Sequence, residues 1–432
     1  MTNQRRKLAA PDLKSRRAAG IPVIVQFSSR LTPGLLRRFR KELGPNAFPV
    51  QRRLGLIHAL AGRASRRCLR QIARCRSVKG IYPDRVRTIN LDIATPSIGA
   101  AAVRRKRGLD GRGIRIALLD TGIYPHPDLT RPVNRIAAFK DFVNGRTQPY
   151  DDNGHGTHIA GDAAGNGWAS RGKYRGPAPG AELVGVKVLD QFGEGRDSTI
   201  IKGIEWCIAN RKRLGIRILS MSFGGPAAAA GCKGDPLCQA AEKAVRAGIF
   251  TVAAAGNSGP ASGTIESPGV SPSALTVGAV DDRRTIRQAG DRVAWYSSRG
   301  PGPGGIRKPD LCAPGETVSL RAPGSRLDRE LAYLRVGRSY FLLSGTSIAA
   351  PLAAGAAAQL LQRSPRLAPG QVKRLLMRHA FRLPDGRNSA GSGEADVRFL
   401  LRQVGKAKPQ RHCLPRSRPR QVPKPWINRP KV

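Results

Sequence analysis

The pattern of apolar and polar positions in residues 20–92 predicts a small unit that mixes strands with helices. Ile21–Phe27 is almost wholly apolar and predicts a strand, and Thr32–Leu43 predicts a helix with a proline at its start. A second helix is predicted near Arg63–Arg76, because its apolar residues lie on one side and arginines on the other. Gly80–Ile89 predicts a last strand. The order strand, helix, strands, helix, strand within about 70 residues is typical of a ferredoxin-like α+β module.

The pattern changes at about residue 110, where short apolar runs begin to alternate with helical segments. The runs that predict strands are Ile114–Leu119, Leu183–Leu189, Ile216–Met221, Ile249–Ala254 and Ala274–Val280. The segments that predict helices are Gly156–Ala164, Ser198–Arg211, Asp235–Ala247, Ser347–Gln362 and Gly370–Ala380. Apolar strands that alternate with helices favour a mostly parallel sheet covered on both faces. The predicted fold class is therefore α/β, with three layers in the order α/β/α.

Positive charge is concentrated at the two ends of the chain. The 432 residues include 75 Lys and Arg but 29 Asp and Glu, which gives a formal net charge of +46. Residues 1–92 contribute +18 of this charge, and residues 402–432 contribute +10. We interpret residues 1–19 as a disordered basic N-terminus and residues 402–432 as a basic, proline-rich tail. This charge allows weak, nonspecific binding to polyanions, although an ordinary solvated surface is the simpler interpretation.

The sequence predicts no membrane span and no secretory signal. The longest nearly apolar stretch, Ala349–Leu361, is too short to cross a bilayer. The apolar run that a signal peptide requires is interrupted at Gln26. We expect a leaderless cytoplasmic protein, with export by a non-classical route as the alternative. The seven cysteines are then expected to be free thiols, and a Cys232–Cys238 bridge is the alternative in an oxidising compartment.

Three residues that together support nucleophilic catalysis lie at the ends of predicted elements. Asp120 follows a predicted strand, at the edge where functional groups gather in an open α/β sheet. His155 lies at a loop-to-helix junction in DDNGHGTHIAG, and Ser347 lies at the start of the apolar helix in SGTSIAAP. A serine hydroxyl needs a base within hydrogen-bond reach, and the base needs an orienting partner. Asp120, His155 and Ser347 supply these three roles.

The segments around these residues resemble a known family. LLDTG, NGHGTHIAG and SGTSIAAP are similar to the three signature segments of the subtilisin-like serine proteases. ILSMSFGG, AAAGNSGP, SSRGP and KPDLCAPG resemble further family segments in the expected order, and the resemblance covers residues 93–401. Within the family, DDNGHGTH and RGPAPGAELVGVKVLD are most similar to the leaderless intracellular AprX-like branch. The resemblance implies a subtilisin-like fold and a serine endopeptidase with an Asp-His-Ser triad and no catalytic cofactor.

The resemblance also implies roles for residues around the triad. Asn257 would donate its side-chain amide to the oxyanion, beside the backbone N–H of Ser347. His158, the nearest alternative to His155, is expected to have a structural role. Further residues would bind an extended protein or peptide substrate. These are Ser222, Phe223 and Gly224 in one wall of the specificity pocket, Ala254 and Gly256 in the other wall, and Gly193 and Gly195 at the edge that pairs with the substrate backbone.

Two expectations concern positions where the resemblance is looser. When TIESPGVSP is aligned by its proline, Glu266 falls at the floor of the specificity pocket. A carboxylate there would favour Arg or Lys before the scissile bond. Asp141 resembles a calcium ligand of the family, but the loop of residues 165–174 is longer and more basic than the family's main calcium loop. A structural calcium ion is therefore an open alternative.

The N-terminal module gains a role from the same resemblance. Residues 20–92 resemble the inhibitory propeptide of these proteases, and residues 93–401 resemble the peptidase domain. A self-processing zymogen is expected, with the propeptide as an inhibitory partner of its own peptidase domain. Two other classes of protein stay open, namely an inactive pseudoprotease that serves as a binding scaffold and a polyanion-binding protein built on a protease fold.

Overall fold

The computed structural model describes residues 20–44, 47–54, 58–83 and 91–402 of the chain. The chain divides into two units between Thr88 and Ile89. Among the described residues, no helix is both long and apolar enough to cross a bilayer.

The N-terminal unit is a four-stranded antiparallel sheet with two helices in its described part. Its elements are β1 (Ile21–Phe27), α1 (Pro33–Leu43), β2 (Val50–Leu54), β3 (Ala59–Ala64), α2 (Arg66–Arg74) and β4 (Val78–Pro83). The strand order β2-β3-β1-β4 and this sequence of elements match the predicted ferredoxin-like module. The unit has its own apolar core, in which the rings of Phe27 and Phe39 meet edge to face with centroids 4.9 Å apart.

Two predicted boundaries in this unit differ from the structure. Helix α2 begins at Arg66 and not near Arg63, because Ser65 caps it by accepting a hydrogen bond from the N–H of Cys68 at 3.1 Å. Arg63 instead belongs to β3, where it pairs with β1. The last strand begins at Val78, two residues earlier than predicted, and is described to Pro83, since residues 84–90 lie outside the described ranges.

The C-terminal unit contains the larger, mostly parallel sheet. Its strands are β5 (Arg115–Asp120), β6 (Ile136–Asp141), β7 (Glu182–Lys187), β8 (Ile216–Met221), β9 (Phe250–Ala254), β10 (Leu275–Asp281), β11 (Arg292–Val293), β12 (Leu311–Pro314), β13 (Glu316–Leu320), β14 (Arg335–Val336) and β15 (Tyr340–Ser344). Its helices are α3 (Leu91–Ser97), α4 (Ala100–Arg107), α5 (Pro127–Thr130), α6 (His155–Ala164), α7 (Asp197–Asn210), α8 (Pro236–Arg246), α9 (Arg326–Glu330), α10 (Thr346–Arg363), α11 (Pro369–Arg378) and α12 (Arg387–Ala390).

The large sheet is covered by helices on both faces. Its order is β11-β10-β9-β8-β5-β7-β6 with β12 beside β10, and in the described residues only β11 is antiparallel to its neighbour. Side chains of β5 alternate between the faces. Ile116 and Leu118 pack in the core that contains α6 and α10, whereas Ala117 and Leu119 pack in the core that contains α7 and α8. The predicted three-layer α/β/α architecture is confirmed.

Several elements of this unit carry little apolar periodicity, and the sequence pattern does not predict them. They include α3 and α4 before the first strand, the half-exposed edge strand β6, and the three-stranded sheet β13-β15-β14. The cysteines also differ from the first expectation, because Cys232 and Cys238 form a disulfide. Cys68, Cys207 and Cys312 are buried free thiols. Cys75 is also buried, and its Sγ donates a hydrogen bond to the carbonyl oxygen of Gln71 at 3.5 Å. Cys413 lies outside the described residues.

Candidate active site

Asp120 lies at the carboxyl end of β5, near the centre of the large sheet. Its side chain is 1% exposed. Oδ1 accepts a hydrogen bond from the N–H of Thr121 at 2.8 Å and lies 2.8 Å from Nδ1 of His155. The carboxylate is therefore in direct contact with the imidazole that the sequence paired with it.

His155 is the first residue of α6 and follows Gly154, whose φ of 106° favours glycine. Its side chain is 22% exposed, so the ring is open to a ligand while its carboxylate partner is buried. Burial lowers the pKa of His155, but the charge and the hydrogen bond of Asp120, together with the charges of Asp151 and Asp162, outweigh burial. The pKa of the imidazole is raised above its ordinary value.

A second carboxylate, Asp151, fixes the turn of Asp120 against the turn of His155. Its Oδ1 accepts hydrogen bonds from Oγ1 of Thr121 at 3.0 Å and from the N–H of Gly154 at 2.8 Å. Oγ1 of Thr121 in turn accepts a hydrogen bond from the N–H of Gly156 at 2.9 Å. Local sequence does not single out Asp151, because the partners that it holds together lie on two separate loops.

Lys187 stabilises the turn that follows Asp120 from the interior of the unit. The residue is fully buried at the end of β7, and its Nζ donates to the carbonyl oxygen of Thr121 and to Oδ1 of Asp152, both at 2.6 Å. The buried charge is thus paired and hydrogen-bonded, as the cost of desolvation requires. The only sequence signal for this residue is a lysine inside an otherwise apolar strand.

Ser347 is the second residue of α10 and is half-buried. The residue before the helix, Gly345, has a φ of 155° and lies close to two polar side chains. A Cβ built on Gly345 would lie 3.0 Å from Oγ of Ser347 and 3.5 Å from Nδ2 of Asn257. The hydroxyl of Ser347 and the side-chain amide of Asn257 therefore both lie close to Gly345 at the N-terminus of α10. Free N–H groups at a helix N-terminus favour negative charge.

Asn257 is held in one orientation by the residue before Ser347. Its Oδ1 accepts hydrogen bonds from the N–H and from Oγ1 of Thr346, at 2.9 and 3.1 Å. Oγ1 of Thr346 also accepts a hydrogen bond from the N–H of Gly256 at 3.1 Å. With its oxygen engaged in this way, the side chain presents its NH₂ group as the remaining donor.

Helices α6 and α10, which carry His155 and Ser347, pack against each other. His158 links α6 to β15, the strand that leads into α10. Its buried ring contacts Oδ2 of Asp162 at 2.9 Å and the carbonyl oxygen of Phe341 at 3.0 Å. These contacts agree with the structural role expected of His158.

The residues expected to bind substrate lie around the side chain of Glu266 and along one cavity. Gly224 and Gly256 flank the side chain of Glu266. A cavity of about 540 Å³ is lined by Phe223 and Gly224 together with Gly193 and Gly195. Ser222 and Ala254 are buried in the two segments expected to form the walls, at the ends of β8 and β9.

Asp141 does not fit a calcium ion. Its Oδ1 accepts hydrogen bonds from the N–H groups of Val143 and Asn144, and its Oδ2 accepts them from the N–H of Arg146 and the hydroxyl of Tyr150. Burial raises the pKa of Asp141, but these hydrogen bonds outweigh it and leave the pKa lowered. In the described ranges, no group of three His, Cys, Asp or Glu side chains is arranged to hold a metal ion.

Comparisons with known proteins agree on one family. The model of the subtilase family matches residues 111–407. Serine protease AprX of Bacillus subtilis (strain 168) is 50% identical over 311 residues, which are 71% of this chain and 70% of that protein. Subtilisin Savinase of Lederbergia lenta is 38% identical over 302 residues, which are 70% of this chain and 96% of that protein. Among solved structures, Sphericase is similar with a TM-score of 0.56 and 32% identity, over 69% of this chain and 97% of that one.

Proposed function

Because the chain belongs to the subtilase family and is a serine endopeptidase, we propose that it cleaves peptide bonds through a triad of Asp120, His155 and Ser347. The observation that carries this proposal is the 2.8 Å contact between Oδ1 of Asp120 and Nδ1 of His155. A buried carboxylate on Nδ1 selects the tautomer whose Nε2 is free to act as a base. Ser347 supports the proposal through its place beside the amide of Asn257 at a helix N-terminus.

In the proposed mechanism, Oγ of Ser347 attacks the carbonyl carbon of the scissile peptide while His155 takes the hydroxyl proton. Nδ2 of Asn257 and the N–H of Ser347 stabilise the oxyanion. His155 then gives its proton to the leaving amine, and an acyl-enzyme forms. Water releases the acyl group by the same steps with His155 again as the base. Throughout, Asp120 orients the imidazole and stabilises its cation.

Loss of the proposed oxyanion donor, the side-chain amide of Asn257, is expected to lower kcat. In a subtilisin, loss of one such donor lowers kcat by about 10²–10³, and we carry this magnitude over to Asn257. Thr346 supports the assignment, because its two hydrogen bonds hold the carbonyl end of the Asn257 amide. The substrate backbone would run along the edge at Gly193 and Gly195, by addition of a strand.

We also infer that the chain is made as a zymogen, with residues 20–92 as the inhibitory propeptide. The separate core of the N-terminal unit and its ferredoxin-like topology support this inference. Intact mass and N-terminal sequencing of the wild type and of Ser347→Ala, followed over hours, test both proposals. We expect the wild type to lose about 90 residues while Ser347→Ala stays at full length. Identical trimming of both chains would contradict self-processing.

A serine-directed phosphonate tests the assignment of Ser347 as the nucleophile directly. A serine-directed phosphonate should add to the wild type at Ser347 and leave Ser347→Ala unmodified. A wild-type chain that takes up no phosphonate and cleaves no peptide would overturn the catalytic assignment.

A further inference from the structure

The side chain of Glu266 fills the gap between the two segments that would form the specificity pocket. A Cβ on Gly256 would lie 2.7 Å from Oε1 of Glu266, and a Cβ on Gly224 would lie 3.0 Å from Cβ of Glu266 and clash with Oε2. Both distances are at or below the closest approach that a real Cβ makes. The carboxylate therefore lies directly between the two walls, and glycine on both sides is what leaves room for it.

The backbone holds this residue firmly in place. The N–H of Glu266 donates to the carbonyl oxygen of Ala255 at 3.0 Å. The next residue, Ser267, exchanges two backbone hydrogen bonds with Gly225, at 2.9 and 3.1 Å. The segment of Glu266 is thus tied to one wall on each side, and its position is set by both.

The two carboxylate oxygens of Glu266 have different surroundings. Oε1 accepts hydrogen bonds from Oγ of Ser258 at 2.7 Å and from the N–H of Asn257 at 3.3 Å. Oε2 accepts no hydrogen bond from the described residues, and within them Glu266 forms no ion pair. The side chain is only half-buried, so one oxygen of an otherwise uncompensated charge remains for a ligand.

The carboxylate also lies next to the groups that would react. Asn257 donates its N–H to Glu266, and its side-chain amide is the proposed oxyanion donor. The adjacent Gly256 is anchored to Oγ1 of Thr346, the residue before Ser347. A substrate whose carbonyl oxygen is bound by the Asn257 amide would place its neighbouring side chain in the gap that Glu266 closes.

We propose that Glu266 makes this enzyme selective for Lys or Arg immediately before the scissile bond, and that it excludes large aromatic side chains from the same pocket. The proposal rests on the catalytic function proposed above. A cationic group can pair with Oε2 through a charge-assisted hydrogen bond. An aromatic ring gains no such contact and competes for the volume that the carboxylate occupies, and an acidic side chain is repelled.

Two substitutions separate charge from volume. Glu266→Gln keeps the shape and an oxygen that can accept the hydrogen bonds of Ser258 and Asn257, but it removes the charge. Glu266→Ala also removes the volume. Glu205→Gln is the matched control, because Glu205 lies on the surface and pairs only with Lys202 in the described residues. The substrates are peptides that differ only in the residue before the scissile bond, which is Arg, Lys, Leu, Phe or Glu.

The expected result is a change in kcat/KM that depends on the substrate. The wild type and Glu205→Gln should prefer Arg and Lys to Phe, and Glu266→Gln should lose about 10- to 100-fold on Arg and Lys with little change on Leu. Glu266→Ala should in addition gain on Phe. A purely structural role would instead lower kcat/KM for all substrates alike.

The results that would overturn the proposed specificity differ from the results that would overturn the proposed catalytic role of Ser347. A wild type that is labelled by the phosphonate and prefers Phe overturns the specificity alone, as does an Arg-to-Phe ratio that Glu266→Gln leaves unchanged. A wild type that is neither labelled nor active on any of the five peptides overturns both.

Discussion

At the residue scale, the charge of Asp120 sets the pH range in which His155 can act as a base. Burial alone would lower the pKa of His155, and the contact with Asp120 reverses this effect and raises it above 6.5. A base with a raised pKa loses activity as the pH falls through that pKa. The acid limb of kcat/KM for the wild type is therefore expected above pH 6.5.

Asp120→Asn tests this argument. The substitution removes the charge that raises the pKa of His155, so the acid limb should move to lower pH. It should also lower kcat by about 10⁴, as in other triads in which the carboxylate becomes an amide. The measurement is kcat/KM against pH, with Glu205→Gln as a surface control. An acid limb that stays in place would mean that Asp120 does not set this pKa.

Local sequence singles out the residues of the proposed triad, whereas it does not single out the residues that support them. Asp120 and His155 lie in short motifs at a strand end and a helix start, and the structure places the two side chains in contact. Asp151 and Lys187 act through partners that only the fold brings near. The sequence left a calcium ligand at Asp141 as an open alternative, and in the structure both of its oxygens accept hydrogen bonds from neighbouring donors.

At the element scale, the sequence predicts helices and strands that contain long apolar runs, but it does not predict short elements that are partly exposed. The helix predicted at Ser347–Gln362 extends over Thr346–Arg363 because its residues are buried on nearly all sides. The apolar pattern does not predict strand β6, because only the first and last residues of this edge strand are buried. Arg63 lies close to the arginines that follow Ser65 and continues their charged pattern. The sequence therefore predicts a helix from about Arg63, although this residue belongs to the end of β3.

The contact between α6 and α10 makes a prediction at this scale. A Cβ on Gly355 in α10 would lie 2.6 Å from the carbonyl oxygen of Ala163 in α6. Gly355→Ala should therefore push the two helices apart and destabilise the unit by about 1–3 kcal/mol. Activity should fall as well, because these helices carry His155 and Ser347. Thermal unfolding is measured in the Ser347→Ala background to prevent self-digestion, and peptidase activity is measured in the single variant.

Gly370→Ala in α11 is the control for this prediction. A Cβ there would meet only the end of the Arg374 side chain, at 3.5 Å. Alanine in place of glycine in a helix favours the folded state by about 0.5–1 kcal/mol when there is room for it. If Gly355→Ala were equally harmless, the close approach of α6 and α10 would not require glycine.

At the scale of the whole molecule, two buried carboxyl groups come from segments that are far apart in the chain. Asp291 precedes β11, and Glu394 lies after α12, where it pairs with Phe381 through backbone hydrogen bonds. Their side chains are 1% and 0% exposed. Burial raises the pKa of both groups, and the charge of Asp291 raises that of Glu394 further. We therefore expect Glu394 to keep its proton and donate it to Asp291.

This arrangement predicts that the contribution of Glu394 to the free energy of unfolding decreases as the pH rises. Above the ordinary pKa of Glu394, 4.5, the folded chain binds more protons than the unfolded chain, so each further rise in pH favours unfolding until Glu394 ionises in the fold. Nearby Asp282 acts in the same direction, because burial raises its pKa to about 7.

The substitution Glu394→Gln tests this prediction, because it removes the titrating proton and keeps an N–H donor that can face Asp291. In the Ser347→Ala background, it should raise Tm at pH 8 by about 2–4 °C, equivalent to about 1 kcal/mol, and leave Tm nearly unchanged at pH 4. An equal shift of Tm at both pH values would mean that packing, and not the shared proton, determines the contribution of this pair.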